Sequence, residues 1–146
     1  MTDEVFELKS GEVVISDPCY KEATFNQARL SNIRKGTWIA GELQMDGRAW
    51  LEIRHRDIIM KTPRLKWEEI DGDLASDSGL LGIFDIFEFK PGNAAWLRKC
   101  CESTKECKIG LLPKGCVINT VAHEGYEFHL ARDPRSRDVY ALRIAL

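Results

Sequence analysis

TWIAGELQ-MDG-RAWLEIRH, residues 37–55, reads as a β-hairpin: two β-favouring runs flank Asp46-Gly47, a pair suited to a tight turn that needs positive φ. In the second run Ala49, Leu51 and Ile53 take inward positions, and Arg48, Glu52 and Arg54 alternate with them, as on a sheet with one wet face. Trp50 falls among the polar set and is predicted to point outward.

Working outward, most of the chain reads as strand. Val5 to Leu8 and Glu12 to Ser16, joined through Ser10-Gly11, predict an opening hairpin. Lys61 to Asp73, with Pro63 and the charged run Lys66-Trp67-Glu68-Glu69, shows no sustained period and reads as a long loop with at most one helical turn. Gly79 to Phe89 is almost continuously apolar, which fits a central strand buried on both faces. After Lys90-Pro91-Gly92, Asn93 can cap a helix running to about Thr104, with Trp96, Leu97, Cys100, Cys101, Thr104 and Cys107 on one face. Gly115 to Val121, Gly125 to Ala131 and Asp138 to Leu146 read as an antiparallel meander, with Tyr126, Phe128 and Leu130 inward in one strand and Tyr140, Leu142, Ile144 and Leu146 in another. The whole predicts a single domain over residues 1–146, α+β in class: mainly antiparallel β, as a curled sheet or sandwich, with one packed helix.

Composition narrows the function classes. The 146 residues carry 21 Lys and Arg against 23 Asp and Glu, a formal charge of -2, so no global positive field exists to hold a nucleic-acid backbone. No apolar run approaches the ~20 residues that span a bilayer, and the acidic start MTDEVFELKSG is unlike a secretory signal, so the reading is cytoplasmic without a membrane partner. Five cysteines without an export signal read as reduced thiols, and their C-C-x5-C-x8-C spacing lacks the C-x2-C knuckles of a zinc site.

Two turns carry the candidate chemistry. In Val14 to Tyr20, Pro18 biases Asp17 to extended geometry and places its carboxylate near the Cys19 thiol at a strand end. Asp77-Ser78-Gly79 introduces the buried strand that ends at Asp85. If Asp17, Asp77, Asp85 and Glu124 converged, they would bind a hard divalent cation or the hydroxyls and amines of a small polar ligand, with Cys19, Tyr20 and Ser78 beside them. The plainer alternative is that each aspartate caps a turn by accepting backbone N–H bonds. A nucleophilic reading takes Cys19 as thiolate and His123 as base, with Asp77 orienting the ring. His55 and His129 read as surface histidines. Basic residues gather at Arg29, Arg34 and Lys35 and at Arg132, Arg135 and Arg137; if these loops meet, their guanidinium groups could hold nucleotide phosphates while an exposed Trp50 or Trp67 stacks on a base. No P-loop, G-x-G-x-x-G, H-E-x-x-H or G-x-S-x-G motif occurs.

The ordered set formed by residues 14–20 (VISDPCY), Gly36-Thr37-Trp38 and residues 77–85 (DSGLLGIFD) resembles an uncharacterised family of bacterial and phage proteins. That family carries a Gly-Asp-Gly-x-Tyr turn where this chain has His123-Glu124-Gly125-Tyr126, which keeps an acid but changes its length. The resemblance marks positions without implying a reaction, and suggests an accessory factor of a bacterium or phage.

The expected function is therefore a non-enzymatic binding module, with no resident cofactor, for a small polar ligand such as a nucleotide or for a protein partner. The alternative is a small hydrolase using a carboxylate-bound divalent cation or the Cys19 and His123 pair. A third reading is assembly as a homo-oligomer through an edge strand ending in Ala145-Leu146.

Overall fold

Asp46 and Gly47 take φ of 54° and 74° and turn the chain back on itself, with antiparallel register running from Trp38 opposite His55 to Met45 opposite Arg48. Two consecutive positive-φ residues match the right-handed twist of the flanking strands, which is why Asp-Gly sits here. The computed structural model describes residues 4–20, 26–61, 64–72, 74–120 and 123–146. Pro63 and Asp73 lie outside them.

In chain order the elements are β1 (Glu4–Leu8), β2 (Val13–Ser16), β3 (Ala28–Leu30), β4 (Gly36–Met45), β5 (Arg48–His55), α1 (Arg56–Lys61), β6 (Trp67–Ile70), β7 (Ala75–Ser76), β8 (Leu80–Asp85), α2 (Ala94–Ser103), β9 (Ile109–Leu112), β10 (Gly115–Asn119), β11 (His123–Glu124), β12 (Phe128–Arg132) and β13 (Val139–Ala145). They form a six-stranded sheet, β1-β4-β5-β13-β12-β6, a five-stranded sheet, β3-β2-β8-β10-β9, and a small β11-β7 pair. Strand neighbours in all three run antiparallel.

One core joins the two large sheets. Phe6, Trp38, Leu51, Ile53, Leu142 and Ile144 of the six-stranded sheet share it with Val13, Ile15, Leu81, Ile83, Cys116 and Ile118 of the five-stranded one. Alternation sends the other side of the five-stranded sheet, Val14, Phe84 and Val117, against Trp96 and Cys100 of α2, whose first turn is closed by Trp96 N–H donating to Asn93 Oδ1 at 3.0 Å. On the outer face of the six-stranded sheet, Ile58 of α1 covers Ala131, Tyr140 and Ala141. The fold is thus α+β and β-rich, with α2 as its one helix of more than two turns among the described residues.

The structure corrects several readings. β1 and β2 do not form a hairpin: β1 pairs with β4, and β2 with β3 and β8, so residues 9–12 cross from one sheet to the other. The segment read as a long loop contains β6, and α1 precedes it. The final strands are not one meander, since β10 belongs to the five-stranded sheet and β12-β13 to the six-stranded one. β13 lies between β5 and β12, so the C-terminal strand offers no edge and the assembly reading based on it fails. Cys101 and Cys107 are exposed, unlike Cys100. Trp50, only 3% exposed, is roofed by the Arg48 and Arg143 guanidiniums, each 5.1 Å from its ring. His55 is buried with Nε2 2.9 Å from Lys35 O, and His129 is half-buried with Nε2 2.6 Å from Glu127 Oε2.

Candidate functional site

The chain leaves β2 at Ser16 and buries Asp17 completely. Pro18 has no N–H to offer, so the next donor, Cys19 N–H, bends back to Asp17 Oδ1 at 2.8 Å. Asp17 Oδ2 accepts from Asp77 N–H at 3.0 Å and Ser78 N–H at 2.8 Å, with Ser76 Oγ 3.1 Å away. The carboxylate therefore ties the entry of β8 to the exit of β2, and these donors satisfy a buried charge that would otherwise be costly.

Asp17, Cys19, Tyr20, Asp77 and Ser78 thus come together. Asp85 does not join them: it sits at the opposite end of β8, fully buried, where it accepts from Lys9 N–H at 2.6 Å, Ser10 N–H at 3.0 Å and Phe87 N–H at 3.0 Å. Burial opposes its ionisation, but the N–H groups of Phe87, Ser10 and Lys9 outweigh burial and hold the carboxyl below its ordinary value. Both buried aspartates act as turn ties. Among the described residues no group of three or more His, Cys, Asp and Glu side chains is placed to hold a metal ion.

What this turn leaves for chemistry is modest. Burial, then the Asp17 charge, pushes the exposed Cys19 thiol up, the direction opposite to that of an activated thiolate. Burial, then the Asp77 carboxylate, pushes the Tyr20 phenol up to about 12. Backbone pairing of β11 with β7 sets His123 opposite Ser76 and Glu124 opposite Ala75. The side chains of His123 and Glu124 lie outside the described residues.

A second location offers a cavity. The two basic loops meet, through acidic residues of the second: Arg34 Nη2 lies 2.6 Å from Asp133 Oδ2 and 2.9 Å from Asp138 Oδ1, and its Nε donates to Asp138 Oδ2 at 3.0 Å. Burial opposes ionisation of Asp138, but Arg34 and then Ser136 more than offset it. The N–H of Arg135, then Arg34, keeps the Asp133 carboxyl low. Arg34 is therefore spent on holding the turn between β12 and β13. Arg137 in that turn takes φ of 67°, and Asn32 Nδ2 donates to its carbonyl at 2.9 Å.

Beside the held turn, Arg64, Lys66, Arg132 and Arg137 line a cleft of about 1010 Å³ with Trp67 and Tyr140 in its walls. Arg132 donates from Nε to Glu68 at 3.1 Å, whereas Arg64, Lys66 and Arg137 have no ion-pair partner among the described residues. Trp67 is half-buried, with the Arg143 guanidinium 4.2 Å from its ring centroid. Arg135 faces an adjoining cavity of about 360 Å³ that shares Pro134 and Tyr140 with the cleft. Sequence reasoning does not reach Arg64 and Lys66, which stand just ahead of β6 in the segment that reads as a loop. The available signal was the short alternation Leu65, Lys66, Trp67, Glu68, which puts Leu65 and Trp67 against the outer cluster.

Comparison with protein-family models, with curated proteins and with solved structures gives no match.

Proposed function

We propose that the protein is a non-enzymatic binding module for a nucleotide, held in the cleft formed by residues 64–68, the β12–β13 turn and Tyr140. The observation that carries this reading is the concentration of cations around one aromatic-walled cleft in a chain whose overall charge is negative. Arg132 and Arg137 come from a turn already fixed by Arg34, so little loop entropy remains to be lost when they meet phosphate oxygens. Trp67 offers the cleft an aromatic wall against which a base can stack, and Arg143 fixes its ring. The Asp17 turn has a supporting role in this reading, since its carboxylate is fully buried and engaged by the N–H groups of Cys19, Asp77 and Ser78. The hydrolase alternative draws no support from Cys19, whose thiol burial shifts away from the thiolate.

Intrinsic fluorescence tests the reading directly. Of the four tryptophans, Trp38, Trp50 and Trp96 are buried, so a stacking base reports through Trp67. Titration with AMP is expected to quench emission saturably, with an affinity that weakens as salt rises, and Arg132→Glu or Lys66→Glu is expected to weaken binding about tenfold, roughly 1.4 kcal/mol. Absence of saturable binding at millimolar AMP, or affinities untouched by both charge reversals, refutes it.

A further inference from the structure

The β12–β13 turn stands between two cavities of different chemistry. Pro134 and Tyr140 belong to the walls of both; Arg132 and Arg137 face the larger and Arg135 the smaller. A mononucleotide in the larger cleft leaves Arg135 and the smaller cavity unused. In that smaller cavity Asp57 and Asp133 bring carboxylates, and Ile58 with Tyr140 brings apolar surface. Asp133 is spent on Arg34 and on the N–H groups of Arg135 and Ser136. Asp57 is not: its side chain is 58% exposed, and the His55 Nδ1 that lies 3.7 Å from its Oδ2 accepts from the Asp57 backbone N–H at 3.1 Å.

A carboxylate beside apolar surface suits donors such as ribose hydroxyls and exocyclic amines, and it repels phosphate. Cations on both sides of Pro134 suit a phosphate that passes over it. The chemistry therefore runs from base-stacking and phosphate-binding in the larger cleft, across the Pro134 wall, to hydroxyl-binding in the smaller cavity. Because the Arg34 clasp fixes the turn, that wall is a rigid divider, and a ligand must reach across it.

We propose, resting on the nucleotide reading above, that the two cavities form one composite site for a dinucleotide. One nucleoside lies against Trp67, the phosphates sit between Arg132, Arg137 and Arg135, and the second nucleoside lies against Tyr140 with Asp57 accepting from its ribose hydroxyls. The linkage makes the second unit's binding intramolecular, so a dinucleotide gains affinity that a mononucleotide of equal charge does not.

The test compares the 5′-phosphorylated diadenylate pApA with ADP, chosen for its similar charge, and with the corresponding tetranucleotide, by calorimetry on the full chain. The expected result is pApA binding at least about tenfold tighter than ADP, with no further gain for the tetranucleotide. Asp57→Ala and Arg135→Ala are expected to bring the pApA-to-ADP affinity ratio towards one, each variant first checked for an unchanged melting temperature. Equal affinities for pApA and ADP overturn the composite site while leaving the nucleotide reading standing. Affinity that keeps rising to the tetranucleotide overturns it in favour of a strand-binding groove. Failure of all three ligands to bind removes the nucleotide reading and the proposal together.

Discussion

Asp17 shows how a residue can look like a site and serve as a joint. Its charge is compensated by Cys19 N–H, Asp77 N–H and Ser78 N–H together with the Ser76 hydroxyl. An amide there presents its own N–H₂ to at least one of these donors and leaves it unpaired in a dry site. Asp17→Asn is therefore expected to cost about 2–4 kcal/mol of unfolding free energy, measured by urea denaturation, while AMP affinity at the distant basic cleft stays unchanged. Loss of AMP binding with unchanged stability would return Asp17 to the ligand site. The sequence made the turn legible, because Ser-Asp-Pro is local chemistry. It could not reveal the saturation of Asp17, because three of its donors come from residues 76–78, some sixty positions along the chain. Asp85 carries the same lesson in mirror form, since the donors from Lys9 and Ser10 lie 76 and 75 positions before it. Two acids bracketing one strand were visible, but that they face different turns was not.

Elements were legible where their causes are local. The β4-β5 hairpin follows from Asp46-Gly47, and α2 follows from Asn93 with its apolar stripe. β6 was not legible, because a strand of four residues draws its stability from pairing with β12, where Trp67 meets Ala131 and Ile70 meets Phe128. The cysteines of α2 divide by the same geometry: Cys100 turns into the cluster around Phe84, and burial pushes its thiol up to about 12, while Cys101 turns to solvent. β8 shows how tightly an element can be specified from both sides. It lies between β2 and β10, and Gly82 leaves room for the ring of Phe84, since a Cβ built there would stand 2.1 Å from Phe84 Cζ. Phe84 is itself held, being packed against Phe89 at 5.7 Å and Trp96 at 5.0 Å between ring centroids. Gly82→Ala is accordingly expected to lower stability by about 1–3 kcal/mol through overpacking, read as a fall in melting temperature. A neutral or stabilising result would show that the aromatic cluster can shift as a unit.

At the scale of the molecule the arrangement of sheets was beyond the sequence because the decisive pairings are distant: β1 with β4, β5 with β13, β2 with β8. Alternation told each strand which residues to bury without saying against which sheet. The C-terminal strand is the clearest case, apolar enough to read as a free edge and placed instead between β5 and β12. That position has a consequence for dynamics. β13 gives Val139, Tyr140, Ala141, Leu142, Ile144 and Ala145 to buried surroundings on both faces of its sheet, and its backbone is bonded on two sides. β6, by contrast, is a terminal strand of the same sheet whose Glu68 and Glu69 are exposed. Local opening needs few broken contacts at β6, whereas releasing β13 divides the six-stranded sheet and exposes the shared core, which amounts to global unfolding. Native-state hydrogen exchange is expected to show the amides of residues 141–144 protected to the level of the global unfolding free energy, with those of residues 67–70 exchanging through a smaller, local opening. The basic cleft is built on that edge strand and on the clasped turn, so AMP at saturating concentration should slow exchange at residues 67–70 and leave 141–144 limited by global unfolding. If residues 141–144 exchange as fast as 67–70 in the free protein, β13 is not the spine of the sheet and the fold described here is wrong at its centre.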